Sequence, residues 1–128
     1  MARNASLGDL EQAIMDVLWG ADVDTGLTVR EVLARLTGRD LAYTTVMTVM
    51  DNLHGKGQLT REMSGRAWLY RPVRTRAEHS AALLQDVLAE SGDRQEVLMH
   101  FVADLDSDSV AQLRSAVQAA RRQSEENA

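Results

Sequence analysis

The chain has 128 residues, enough for one ordinary domain or for a small domain with an appendage. Aromatics are 4% against 45% hydrophobic residues, with eight glycines and one proline, which favours an aliphatic, helix-rich fold over a sandwich or barrel. Cysteine is absent, excluding disulfides, thiolate metal sites and cysteine nucleophiles, and the net charge of −5 argues against a uniformly basic nucleic-acid binder.

The first predicted element, "LGDLEQAIMDVLWG", places Leu7, Leu10, Ile14, Val17 and Leu18 on one helical face and ends at Gly20. The polar stretch "ADVDTGL" reads as a loop. "TVREVLARLTG" opens with Thr28 and Glu31 in capping-box spacing, carries Val32, Leu33 and Leu36 on its apolar side and stops at Gly38. A third helix follows in "LAYTTVMTVMDNLHGKGQL", where Val46, Val49, Met50 and Leu53 recur at helical spacing although threonine and valine are poor helix formers. "QLTREMSGRAWLYRP" then alternates with period two on both sides of Gly65-Arg66, as a hairpin whose second strand is stopped by Pro72. Beyond Pro72, helices are predicted over 75–90, 94–104 and 108–122, the last capped by Ser107 or Asp108, with a frayed tail "QSEENA".

Helix, helix, helix, hairpin is the winged helix-turn-helix order, so the fold class expected is mainly α: a winged helix over 1–74 and a helical module over 75–128. In that order the third helix enters the major groove and the hairpin follows the backbone or minor groove. With Val46, Val49, Met50 and Leu53 turned inward, Thr44, Thr48, Asp51 and Asn52 face outward, flanked by Thr45 and Met47. Threonine lets a helix axis approach base edges closely, its hydroxyl bonds bases or phosphates, and its methyl packs on thymine. The propensity cost is a few tenths of a kcal/mol per residue, roughly, against about 1–3 kcal/mol for a good base contact. Tyr43 either reaches a phosphate or packs on the edge of the module. Asp51 either orients a neighbour or accepts from cytosine N4.

Charge is unevenly placed. Residues 1–74 balance 9 Lys/Arg against 9 acids, whereas residues 75–128 carry 5 against 10, and residues 52–76 hold six Lys/Arg and the single acid Glu62. Lys56, Arg61 and Arg66 around the hairpin are therefore candidate phosphate or minor-groove contacts, Arg66 at the tip foremost. Trp68 and Tyr70 are expected to pack within the hairpin rather than stack on bases. The C-terminal helices bear aliphatic stripes too thin for an independent core, which predicts burial against a second copy through Leu84, Leu88, Leu98, Phe101, Val102, Val110, Leu113 and Val117, the alternative being packing back onto the N-terminal module.

Catalysis finds no support: His54, His79 and His100 are far apart and expected on the surface, and there is neither a Gly-rich phosphate loop nor G-x-S-x-G. No metal site and no cofactor are expected. No apolar run approaches the roughly 18 residues of a membrane span, and "MARNASLGDLEQ" carries acids where a signal peptide is apolar, so a cytoplasmic chain without stable membrane association is expected.

"LGDLEQAIMDVLWG", "TVREVLARL", "YTTVMTVMDNLHGKGQLTRE" and "GRAWLYRP" resemble, in order and spacing, the BlaI/MecI family of bacterial repressors over nearly the whole chain. The resemblance implies a homodimeric winged-helix repressor that binds double-stranded operators of dyad symmetry near β-lactamase or related genes. It also implies a membrane sensor-protease system that triggers cleavage in the dimerisation helices. Relatives are cut at an Asn-Phe bond. The matching segment here is "VLMHFVADL", so the implied bond is His100-Phe101, with histidine where the family has asparagine. The copper-responsive branch carries a C-terminal cysteine cluster, which this chain lacks. The alternative kept open is a small-molecule-responsive winged-helix repressor of the multiple-antibiotic-resistance type. Such proteins place dimer helices at both ends, whereas about six residues precede the first helix here.

Overall fold

The computed structural model describes residues 7–21 and 25–127, so part of the loop expected at "ADVDTGL", residues 22–24, lies outside the described residues. Six helices and one hairpin follow in order: α1 (Asp9–Gly20), α2 (Val29–Arg35), α3 (Tyr43–Gly55), β1 (Leu59–Ser64), β2 (Ala67–Pro72), α4 (Arg76–Glu90), α5 (Arg94–Ala103) and α6 (Ser107–Glu126). Two compact units emerge, Met1–Asp86 and Val87–Ala128, and their boundary falls inside α4.

In the first unit the apolar stripes converge. Ile14, Met15 and Leu18 of α1, Val32 of α2, and Val46, Met50 and Leu53 of α3 are almost wholly buried, joined by Leu59 and Tyr70 of the hairpin. Leu7, Leu10, Val17, Leu33 and Val49 pack half-buried around them. Burial decides the conformation of α3. Removing three large side chains from water gains roughly 1.5–3 kcal/mol each, more than the β-branched residues lose in helix propensity.

The start of α2 is fixed locally. The Glu31 amide donates to Thr28 Oγ1 at 3.2 Å and the Thr28 amide donates to Glu31 Oε1 at 3.0 Å, closing the capping box. These bonds from Thr28 hold the Glu31 carboxyl below its ordinary pKa. An identical reciprocal pair, Thr75 with Glu78, opens α4 at 2.8 and 3.1 Å.

β1 and β2 pair antiparallel with Arg61 opposite Tyr70, Glu62 opposite Leu69 and Met63 opposite Trp68. The wing has a third rung that no periodicity announces. Leu27 bridges Tyr70 through Leu27 N–H to Tyr70 O at 3.0 Å and Tyr70 N–H to Leu27 O at 2.8 Å. Gly26 makes this approach feasible: its φ is +71°, and a Cβ there would lie 2.9 Å from the Tyr70 carbonyl oxygen.

One histidine departs from expectation. His79 on α4 is not a surface residue but is 3% exposed, its ring 5.1 Å from that of Trp19 on α1. Aromatic packing puts it there, while Trp19 Nε1 donates to the Arg74 carbonyl at 2.9 Å and Arg76 pairs with Asp16 at 2.8 Å. Among the described residues neither His79 nitrogen has a hydrogen-bond partner, and burial, then the positive charge of Arg74, hold its pKa below the ordinary value.

The second unit is built differently. Asp93 caps α5 by accepting from the Glu96 amide at 3.1 Å. The cap of α6 is Asp106, not Ser107 or Asp108: its carboxylate accepts from the Ser109 amide at 2.8 Å, a stronger charge-assisted cap one residue earlier. α6 also runs on through "QSEE" to Glu126 instead of fraying, since nothing in that tail breaks a helix. Neither α5 nor α6 has a buried residue.

Candidate nucleic-acid interface

The core sets the outward face of α3. Because Val46, Met50 and Leu53 are buried, Thr44, Thr45, Met47, Thr48, Asp51 and Asn52 are exposed together. Tyr43 opens the helix with 41% exposure, and the Arg30 guanidinium of α2 lies 5.4 Å from its ring centroid. Arg66 stands exposed at the wing tip next to Gly65, whose φ of +62° makes the turn. Among the described residues Arg66 has no ion-pair partner, so its charge is available to a phosphate.

The other two candidate cations are already paired. Lys56 Nζ lies 2.8 Å from Glu11 Oε2 of α1. Burial pushes the Glu11 carboxyl up, but the Lys56 and Gly8 hydrogen bonds outweigh it and hold the group below its ordinary pKa. Arg61 Nη1 donates to Asp51 Oδ1 at 2.9 Å and to the Tyr70 hydroxyl at 3.4 Å, and its guanidinium lies 4.5 Å from the Trp68 ring centroid. The Tyr70 hydroxyl first, working against partial desolvation, and then Asp51 raise the already high arginine pKa. Asp51 thus orients a neighbour, one of the two roles open to it. Tyr70 packs as expected and is buried, whereas Trp68 remains 39% exposed with the Arg61 guanidinium over its ring.

Arg30 is the residue that sequence reasoning passed over. With Tyr43, Met47, Arg66 and Trp68 it lines a crevice of about 420 Å³ between α2, α3 and the wing. Its only sequence signal was a lone positive charge, and only the fold places it 5.4 Å from Tyr43. The crevice has cations at its rim and aromatic walls, a surface suited to a sugar-phosphate strand.

The residues expected at a dimer surface are distributed over α4, α5 and α6. Leu84, Leu98, Phe101, Val102, Leu113 and Val117 are between 39% and 62% exposed, and Leu88 and Val110 are half-buried. His100 and Phe101 fall inside α5, His100 pointing outward 3.6 Å from Glu96. Among the described residues no group of three or more His, Asp or Glu could hold a metal ion, and no helix is long and apolar enough to cross a membrane.

Three helices around one aliphatic core, a hairpin hydrogen-bonded back to the loop before α2, and a short-chained polar face on α3 define a winged helix-turn-helix protein. The family model described as Penicillinase repressor matches residues 7–119, and the chain belongs to that family. Transcriptional regulator BlaI of Mycobacterium tuberculosis, in strains CDC 1551 and H37Rv, is 45% identical over 121 residues, covering 91% of this chain and 86% of the relative. The family is one of regulators rather than enzymes. Among solved structures, MepR, a transcription regulator of the Staphylococcus aureus multidrug efflux pump MepA, is 16% identical with a TM-score of 0.48, covering 92% of this chain and 80% of that one. PcaV of Streptomyces coelicolor is 20% identical with a TM-score of 0.47, over 91% and 75%. Likenesses at that level bear on neither ligand nor mechanism.

Proposed function

We propose that the chain is a homodimeric repressor that binds a dyad-symmetric operator duplex controlling β-lactamase or related antibiotic-response genes. The observation that carries this reading is the outward face of α3: Tyr43, Thr44, Thr45, Thr48 and Asn52 are exposed beside the unpaired Arg66 of the wing. Short hydroxyl and amide side chains admit the helix to base edges, while Arg66 neutralises a phosphate directly and Lys56, half-exposed, does so by exchanging Glu11 for one. Arg61 belongs to the same surface, in a role developed below.

Dimerisation is supported by the uncovered apolar residues of α4 to α6. A single winged helix makes few contacts, and coupling two raises apparent affinity by about 10² to 10⁴ through effective concentration. Loss of the dimer then releases DNA without any change in α3. Cleavage at His100-Phe101, triggered by a membrane sensor-protease system, would accomplish that. A peptide bond in a helix must unfold locally before a protease can take it, and within one protomer α5 has no buried side chain, so resistance to that opening comes from the partner's cover alone.

Footprinting the duplex immediately upstream of the chain's own coding sequence, at two salt concentrations, tests the reading. Two inverted protected half-sites are expected, and Arg66→Ala, which removes one phosphate contact from each half of the dimer, makes the slope of log affinity against log salt shallower by about 1.8. A purified protomer with no preference for any duplex overturns it. Intact-mass analysis of the chain from β-lactam-treated cells tests cleavage: a fragment ending at His100 is the expected product, and induction with only uncut chain present rules the mechanism out.

A further inference from the structure

Asp51 is the only acid among the thirteen residues of α3, and its side chain is 63% exposed on the face proposed to enter DNA. A bare carboxylate there would be repelled by phosphates on both sides of the groove and stripped of water as the helix docked. Arg61, on β1, is placed to prevent this. Its side chain is only 24% exposed, and the guanidinium is occupied on three fronts, by Asp51 at 2.9 Å, by the Tyr70 hydroxyl at 3.4 Å and by the Trp68 ring at 4.5 Å. Tyr70 is itself pinned by its two hydrogen bonds to Leu27, so the platform that holds Arg61 is anchored in the core of the unit. Arg66 has no such ties. Arg61 and Arg66, opposite in surroundings, do different jobs.

We propose that Arg61 is a counter-charge and not a phosphate ligand: from the wing it neutralises Asp51, the one carboxylate on the outward face of α3, and so admits that face to a polyanionic groove. The inference rests on the DNA-binding reading above. It makes Arg61 a positioning residue that acts through Asp51, and the pair also ties the wing to the helix it flanks.

Binding of the duplex immediately upstream of the coding sequence, measured over a salt series for the full-length chain, R61Q, D51N and D51N/R61Q, decides the matter. R61Q leaves Asp51 unmasked and is expected to weaken binding by about tenfold or more. D51N/R61Q, a neutral amide pair, is expected to return to within about threefold of the parent with an unchanged salt slope. D51N alone frees Arg61 in both protomers and is expected to bind at least as tightly, with a slope steeper by about 1.8. A double variant as weak as R61Q, with a slope shallower by about 1.8 for the two protomers, makes Arg61 a phosphate ligand and overturns the proposal. D51N that loses affinity together with its preference at one base pair makes Asp51 a base reader and overturns it as well. Should R61Q fail to fold, D51N decides alone, since weaker or unchanged binding with an unchanged slope is incompatible with a masked carboxylate. A parent chain that binds no duplex overturns the DNA-binding reading instead, and the two failures are thereby distinguished.

Discussion

The two compact units spend their hydrophobic residues in opposite ways. In the winged helix, side chains from three helices and a hairpin close on one another until Ile14, Val46, Met50 and Leu53 have no exposure left. In α5 and α6 no side chain is buried, and Leu98, Met99, Phe101 and Val117 face outward. Helices of 10 and 20 residues with good caps hold their shape, but capping contributes about 1 kcal/mol per end and cannot replace a core. The first unit covers its own apolar side chains; the second leaves them uncovered.

The contrast can be broken most forcefully from the second unit. Replacing both Phe101 and Leu113 by Glu should abolish the dimer in sedimentation and lower operator affinity by about 10² to 10⁴, while the winged helix keeps its fold. Unchanged sedimentation would show that these residues cover nothing. From the first unit, Leu53→Ala should cost about 2–5 kcal/mol in denaturant unfolding, because a fully buried side chain leaves a cavity behind. The same truncation at Leu98, which is 41% exposed, should cost far less once the chain is diluted to protomers. A smaller effect, about 1 kcal/mol, is expected for Thr28→Ala, which removes the hydroxyl that caps α2.

The finest distinction is in pH. His79 is held neutral by burial and by Arg74, with Arg76 engaged by Asp16, so its folded pKa lies below the ordinary 6.5. In the unfolded chain it takes up a proton first. Stability from this site is therefore complete above about pH 6.5 and is lost as the pH falls towards the folded value. Urea midpoints measured down from neutrality should show this decline in the parent and not in His79→Leu. That substitution also removes two buried nitrogens without partners, so it should leave neutral-pH stability unchanged or raise it. A decline of equal size in both proteins would assign it to other groups.

What could be read from the residues alone was what is local or periodic. Thr28 and Glu31 are three positions apart, and their reciprocal bonds follow from that spacing. Val46, Met50 and Leu53 mark the inward side of α3 by period, and the outward side follows by elimination. Long-range geometry stayed out of reach. Nothing near Leu27 signals that it hydrogen-bonds to Tyr70, because a single-residue rung has no pattern. Lys56 counted as a free cation until the fold brought Glu11 to it across 45 positions. His79 lacked any signal for burial, since its cover is Trp19 on a distant helix. The misplaced start of α6 has a simpler cause: three potential caps, Asp106, Ser107 and Asp108, stand in a row, and spacing alone does not choose among them.

The hairpin is fastened at its base, and by Arg61 to α3, but not at its tip. At its base Tyr70 is buried and bonded to Leu27, with Gly26 leaving no room for even a methyl group, whereas at its tip nothing lies within 4 Å of the place where Gly65 would carry a Cβ. Length and charge at the tip are therefore separable from folding. A descendant or a designer could lengthen the Gly65-Arg66 turn, or exchange its cation, and alter which stretch of duplex is gripped while the scaffold beneath stays the same.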